Sequence, residues 1–325
     1  MRVLTWNIQW GRGADGRVDL ARSVAAIRAA GDFDLVCLQE VACNFPGLAG
    51  GAREDEPAHF AAAFPGFEAV FGAGMDVPDD GGGRARFGNL LLSRLPVGQV
   101  FRHLLPAPAD ADFPSMQRVC VEAVVSTARG PLRVMTTHLE YYSARQRRAQ
   151  VEALRALQAE AAAQAAAPAR GKESNPAFAA RPRPASAIVC GDFNCEPGSP
   201  EHARMQAPIG AGVPAWCDAW QLLRPGTPHA PTVGLHGAEW PDRAYCCDFF
   251  FVTADLAPRV LDLRCLRTPP RPIISRWCWR WRTERPRQRA ERSAAFRRAA
   301  AARSGRGRRA SWRGRGSASG PRNRC

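Results

Sequence analysis

The chain has 325 residues, 46% of them hydrophobic, which is enough for a sizeable core, and a formal charge of +15. That charge sits at one end: residues 267–325 hold 19 arginines against two glutamates, so the first 266 residues sum to −2 and make no electrostatic case for long duplex DNA. No run approaches the ~20 apolar residues of a membrane span, and no export signal precedes the first strand-like stretch, so the 11 scattered cysteines read as buried thiols of a cytoplasmic protein.

In chain order, strand-like runs are expected at 2–8, 34–39, 68–71, 88–93, 118–126, 131–137, 186–191 and 246–252. Helical spacing marks 18–30, where Gly31 stands at the C-terminal cap. A long helix is expected over 143–167, with Ser143 as N-cap and Pro168 as the stop. The glycine-rich stretch 72–88 and the Pro-, Ala- and Arg-rich stretch 168–186 read as loops. Many strands with few helices at mixed spacing predict two packed sheets with helices outside, rather than a regular βαβ wind. From 267 onward no period is sustained, and the segment reads as disordered.

Polar groups recur where apolar runs stop. Asn7 and Gln9 close "VLTWNIQ", Gln39 and Glu40 follow "FDLVCL", His138 ends "LRVMTTH", Asp192 and Asn194 end "AIVCGDFN", and Asp248 opens "DFFFVT". Singly, each is an ordinary strand-end residue, a core histidine or an Asx turn. Together they repeat one grammar, a rigid strand delivering a polar side chain to its end, which is how ligand sites are commonly built.

These pieces, "TWNIQ", "LQEV", "GNLLLSRLPV", "TTHLE", "GDFN" and "CDFFFV", occur in the order in which the endonuclease/exonuclease/phosphatase superfamily carries them. The chain resembles that superfamily over residues 1–266. The resemblance implies an α/β four-layer sandwich of deoxyribonuclease I type, two packed mixed β-sheets flanked by helices. It also implies Mg²⁺-dependent hydrolysis of phosphodiesters, with Mn²⁺ as a substitute, because Mg²⁺ takes hard oxygen ligands and keeps its waters. By the same resemblance Glu40 is the principal metal ligand with Asn7 beside it, Asp192 orients or deprotonates the attacking water, Asn194 and His138 donate to the phosphoryl oxygens, and Asp248 orients a late histidine. Side-chain alternation would put Asp192 and Asn194 on one side of an extended segment. Substrate choice is expected in loops 72–88 and 141–148, with Arg84, Arg86, Arg118, Arg145 and Arg147 as candidate phosphate contacts.

The late histidine is missing. Where the family carries Ser-Asp-His and a closing strand, this chain reads "RTPPRPIISRWCWRWRTERPRQ", with three tryptophans within Trp277–Trp281. A frame starting at the third base of the Arg271 codon permits Ser-Asp-His-Gln-Pro-Val-Val-Leu-Ala-Val, and its Val-Leu pair is forced by the tryptophan and cysteine codons. Residues 267–325 therefore read as the product of a frameshift, and residues 1–266 as a domain lacking its last strand and Asp-His pair, with impaired catalysis. Two alternatives stand: a phosphomonoesterase or lipid-headgroup phosphodiesterase of the same superfamily, and a catalytically dead protein binding nucleic acid through its Arg-rich tail.

Overall fold

A computed structural model describes residues 1–172, 174–235, 241 and 243–266, and the backbone of Arg276–Arg280. All of these belong to one compact unit, Met1–Thr283. In chain order the strands are β1 (Arg2–Asn7), β2 (Leu35–Cys43), β3 (Glu68–Pro78), β4 (Arg84–Ser93), β5 (Val97–Leu104), β6 (Val119–Thr127), β7 (Gly130–His138), β8 (Ala187–Asp192), β9 (Trp216–Asp218), β10 (Asp248–Thr253), β11 (Asp262–Leu266) and β12 (Arg276–Arg280). The helices are α1 (Leu20–Ala30), α2 (Glu56–Ala63), α3 (Ala144–Ala166), α4 (Pro200–Gln206) and α5 (Ala219–Leu223).

The strands form two six-stranded mixed sheets, in the orders β11-β12-β1-β2-β4-β3 and β5-β6-β7-β8-β10-β9. Alternation along β1 explains the layering: Val3 packs between the sheets, while Leu4 and Trp6 face outward onto Val24 and Ile27 of α1 and Phe60 of α2. On the far side, Val151 and Leu154 of α3 and Met205 of α4 cover the second sheet. The result is the four-layer α/β sandwich expected from the sequence. Helix ends follow their caps, with Asp19 accepting from Arg22 N and Ser143 from Gln146 N.

Two expectations need correction. The stretch 72–88 is no loop; it is the paired body of the β3–β4 hairpin, with only residues 79–83 at the tip. Its glycines serve close packing: a Cβ on Gly88 would sit 1.9 Å from the Gly72 carbonyl oxygen, and one on Gly74 would sit 2.3 Å from that of Gln117. A domain ending at 266 would also leave one edge of β1 open. Instead the backbone of β12 pairs antiparallel with both β1 and β11, placing residue 277 opposite Thr5, because an unpaired row of N–H and C=O groups can be satisfied by any proline-free segment. Residues 267–275 and 281–325, where the frame argument and the tail reading fall, lie outside the described residues.

Candidate functional site

Parallel pairing sets the site. β1 and β2 run side by side with Asn7 opposite Gln39, and β7 and β8 run side by side with His138 opposite Asp192. β1, β7 and β8 end at the same rim of the sandwich, and β2 passes through it at the irregularity around Gln39 and Glu40 before running on to Cys43. β10 runs antiparallel to β8 and begins there, with Asp248 opposite Asp192. His138, Asp192 and Asp248 therefore form one row across the second sheet, facing Asn7 and Glu40 from the first.

The side chains meet. Asn7 Nδ2 donates to Glu40 Oε1 at 2.8 Å and to Asp192 Oδ2 at 3.1 Å, which bridges the two sheets. His138 Nδ1 lies 3.9 Å from Glu40 Oε1, and its Nε2 lies 3.7 Å from Asp192 Oδ2. Asn194 Nδ2 donates to His138 Nε2 at 2.9 Å and to the Leu139 carbonyl at 2.8 Å. Accepting from that amide puts the neutral ring's proton on Nδ1. Behind this group, the fully buried Gln39 donates from Nε2 to Thr5 Oγ1 at 3.0 Å and to Thr136 Oγ1 at 2.8 Å, a second tie between the sheets.

Backbone strain concentrates at the same rim. Glu40 has φ 55° and Asn194 φ 49°, and Gln9 and Trp10 are also left-handed. Non-glycine residues reach this region only when surrounding structure holds them there. Glu40 is held by the register shift in β2 between Leu38 and Val41. Asn194 is held by an Asx turn in which Asp192 Oδ1 accepts Asn194 N at 2.9 Å. Strand alternation therefore does not align Asp192 with Asn194, as the sequence suggested. The strand ends at Asp192, and a left-handed turn swings Asn194 back beside it.

Electrostatically the site is a crowd of desolvated carboxylates. Burial, reinforced by Asp192, pushes Glu40 up to about 7. Burial also raises Asp192, and it raises Asp248 well above the carboxylate range, with Asp192 adding to the effect. Burial and then the Arg118 guanidinium push His138 well below its ordinary value, so the ring is neutral. Arg118 is buried beside Glu140, with Nε 3.2 Å from Oε2, and its charge also acts on Glu40 and Asp192. Three oxygen donors whose negative charge is resisted by their surroundings suit a hard divalent cation, which would favour their ionised forms.

All six residues singled out from the sequence come together, with their contacts differing in detail. Asn7 Oδ1 accepts from Gln9 N at 3.0 Å, so Asn7 acts here as an amide bridge between carboxylates. Asp248 has no histidine beside it among the described residues; the Cys247 thiol contacts its Oδ2 at 3.6 Å, and Thr232 also favours its ionised form. Of the five candidate arginines only Arg118 lies among the site charges. Arg84 and Arg86 pair with Asp76 on the hairpin, Arg145 donates to the Ala109 carbonyl, and Arg147 donates to the carbonyls of Glu140 and Tyr141. Thr232 and Cys247 carry no sequence signal as site residues, since one sits in a loop and the other reads as a core thiol.

The family model for "Endonuclease/Exonuclease/phosphatase family" matches residues 4–267. No curated protein matches the chain. Among solved structures, an endonuclease/exonuclease/phosphatase from Beutenbergia cavernae is 21% identical, with a TM-score of 0.56 over 86% of this chain and 71% of that one. The human Nocturnin catalytic domain with bound sulfate is 19% identical, with a TM-score of 0.53 over 86% and 92%. A 3′ phosphatase from Neisseria bound to a product DNA hairpin is 15% identical, with a TM-score of 0.53 over 87% and 99%. No helix among the described residues is long and apolar enough to cross a membrane.

Proposed function

From the premise that the chain belongs to the endonuclease/exonuclease/phosphatase family of phosphoester hydrolases, we propose that its site cleaves phosphodiesters with the help of Mg²⁺, for which Mn²⁺ substitutes. The supporting observation is the meeting of Glu40, Asp192 and Asp248, all raised by burial, with Asn194, His138 and one guanidinium at a single rim. Glu40, with Asn7 beside it, would hold the metal, which when bound supplies Lewis-acid stabilisation of charge on the phosphoryl and leaving oxygens.

The protein's own groups do the rest. Asp192, whose proton affinity is raised by burial, accepts the proton of the attacking water. Asn194 turns an amide hydrogen from His138 or Leu139 to a phosphoryl oxygen, and the amide is already fixed by the turn that strains its backbone. Arg118 offers positive charge to the same group. Asp248 lacks a histidine partner among the described residues, and this deficit would impair the hydrolysis.

The test compares the chain with a version carrying the shifted-frame sequence from residue 271, each assayed on an aryl phosphodiester and an aryl phosphomonoester. Diester turnover in Mg²⁺ is expected in both, larger in the shifted-frame version and abolished by EDTA. Full turnover in excess chelator would overturn the metal reading, and a preference for the monoester would move the assignment to a phosphatase.

A further inference from the structure

Outside the rim, His202 of α4, Asp218 at the end of β9 and His229 of the 224–232 loop bring one ligand atom each within 4.8 Å of one another. Such a set could hold a metal or could close on itself through hydrogen bonds, and the distances and partners separate these. His202 Nε2 lies 2.8 Å from Asp218 Oδ2 and His229 Nε2 lies 2.6 Å from the same oxygen, both direct hydrogen-bond lengths. Gly198 N donates to His202 Nδ1 at 3.2 Å, so Nδ1 is an acceptor and the ring proton sits on Nε2, facing Asp218. A metal-bound histidine ordinarily donates its other ring N–H to an acceptor, and here that nitrogen meets a donor. Asp218 is completed by Trp220 N, which donates to Oδ1 at 2.7 Å. The group is a closed clasp of two imidazoles on one carboxylate.

The clasp bears on the site. Gly198 lies on the turn that leaves Asn194. Phe249, the neighbour of Asp248, packs its ring 4.8 Å from His202 and 5.6 Å from His229. The loop carrying His229 continues to Thr232, whose hydroxyl accepts from Cys247 N at 3.1 Å.

We propose that His202 is a positioning residue for Asn194, acting through the turn that follows it: the clasp keeps the Nε2–H on Asp218, which leaves Nδ1 to accept from Gly198 N and so fixes the 195–199 segment behind the strained Asn194 turn. The groups facing the ring are Asp218 from β9, His229 from its loop, the Gly198 amide from the turn, and Phe249 and Phe251 from β10. The charges around the rest of α4 are paired elsewhere, Glu201 with Arg148 and Arg204 with Glu152, and Arg155 donates to the carbonyls that close the helix.

The kinetic part rests on the hydrolase reading, so the experiment has two arms on the full chain. In the first, imidazole ¹⁵N spectra should show the Nε2–H tautomer at His202, unchanged by added Zn²⁺, and the Gly198 amide should be protected from exchange in the parent and lose that protection in His202→Gln. An Nδ1–H tautomer, or Zn²⁺ shifting both rings, would overturn the clasp. In the second, His202→Gln keeps a donor for Asp218 and loses the acceptor for Gly198, whereas His202→Asn keeps an acceptor near Gly198 and loses the donor. The Gln variant should lose ~10-fold or more in kcat at near-constant KM, the cost of a misplaced group, while the Asn variant keeps kcat within ~3-fold and melts lower. Equal losses that follow the fall in melting temperature would overturn the positioning role. Absence of turnover in every version, with the tautomer and the Gly198 protection intact in the parent, would refute the hydrolase reading and leave the clasp standing.

Discussion

Desolvated carboxylates stand at two places in the sandwich, one within the second sheet and one at the rim where the two sheets meet, and they have been treated oppositely. Glu122 of β6 is fully buried, and burial alone would raise it. His103, Arg183 and Arg133, at 3.1, 2.9 and 2.9 Å, outweigh that and hold it far below the usual carboxylate range. At the rim, Glu40, Asp192 and Asp248 have only Arg118 among them, and burial wins. A carboxylate that serves the fold brings its own cations. A group of carboxylates left short of cations is built to meet charge from outside, whether a metal ion, a proton from water or both.

The largest expected effect tests the rim. Asp192→Ala should lower turnover by ~10²–10⁴-fold, the usual worth of a general acid–base group, while the chain still folds, because losing the bonds to Asn7 and Asn194 N is partly offset by removing a carboxylate whose ionisation burial resists. Activity within a few-fold of the parent would remove Asp192 from the role of base.

The opposite behaviour is expected at the structural cluster. Arg133→Met leaves Glu122 short of a buried partner and should cost ~3–5 kcal/mol in urea unfolding, with KM for the aryl diester unchanged. A loss below ~1 kcal/mol would show that Arg183 and His103 suffice, and the contrast between clusters would weaken.

The smallest effect carries a sign that separates the two clusters. A carboxyl raised from its ordinary 4.5 to about 7 contributes stability that is present below 4.5 and lost as pH rises through 7. Glu40→Gln should therefore be more stable than the parent above pH 7, by up to ~3 kcal/mol, and indistinguishable from it below pH 4.5. Its melting temperature should also stop responding to Mg²⁺. Glu122→Gln should show the reverse sign, losing stability at neutral pH.

Much of the site was legible in the sequence because its residues interrupt apolar alternation. Asn7, His138 and Asp192 each stand where a buried strand ends in a polar side chain, Gln39 and Glu40 follow the apolar run at the irregularity inside β2, and parallel pairing needs only that the strands be level to bring these positions together. The stretch 72–88 was misread because glycine means looseness in a loop and close approach in a sheet, and only the positions of Gly72 and Gln117 distinguish these. The pairing of Arg118 with Glu140 spans 22 residues, and Thr232 meets Cys247 across a loop, so neither follows from any local period.

The amino-acid sequence by itself determined eight of the twelve strands at least in part, the cap of the long helix at Ser143, the order of the site residues and the family they announce, because each depends on neighbours within a few positions. Tertiary structure alone decided which carboxylates are left without cations, which way Asn194 turns, and that His202, Asp218 and His229 close on one another. Those outcomes depend on burial and on distances of a few ångströms between residues far apart in the chain, and charge in a desolvated place is governed by what stands beside it, whatever precedes it in sequence.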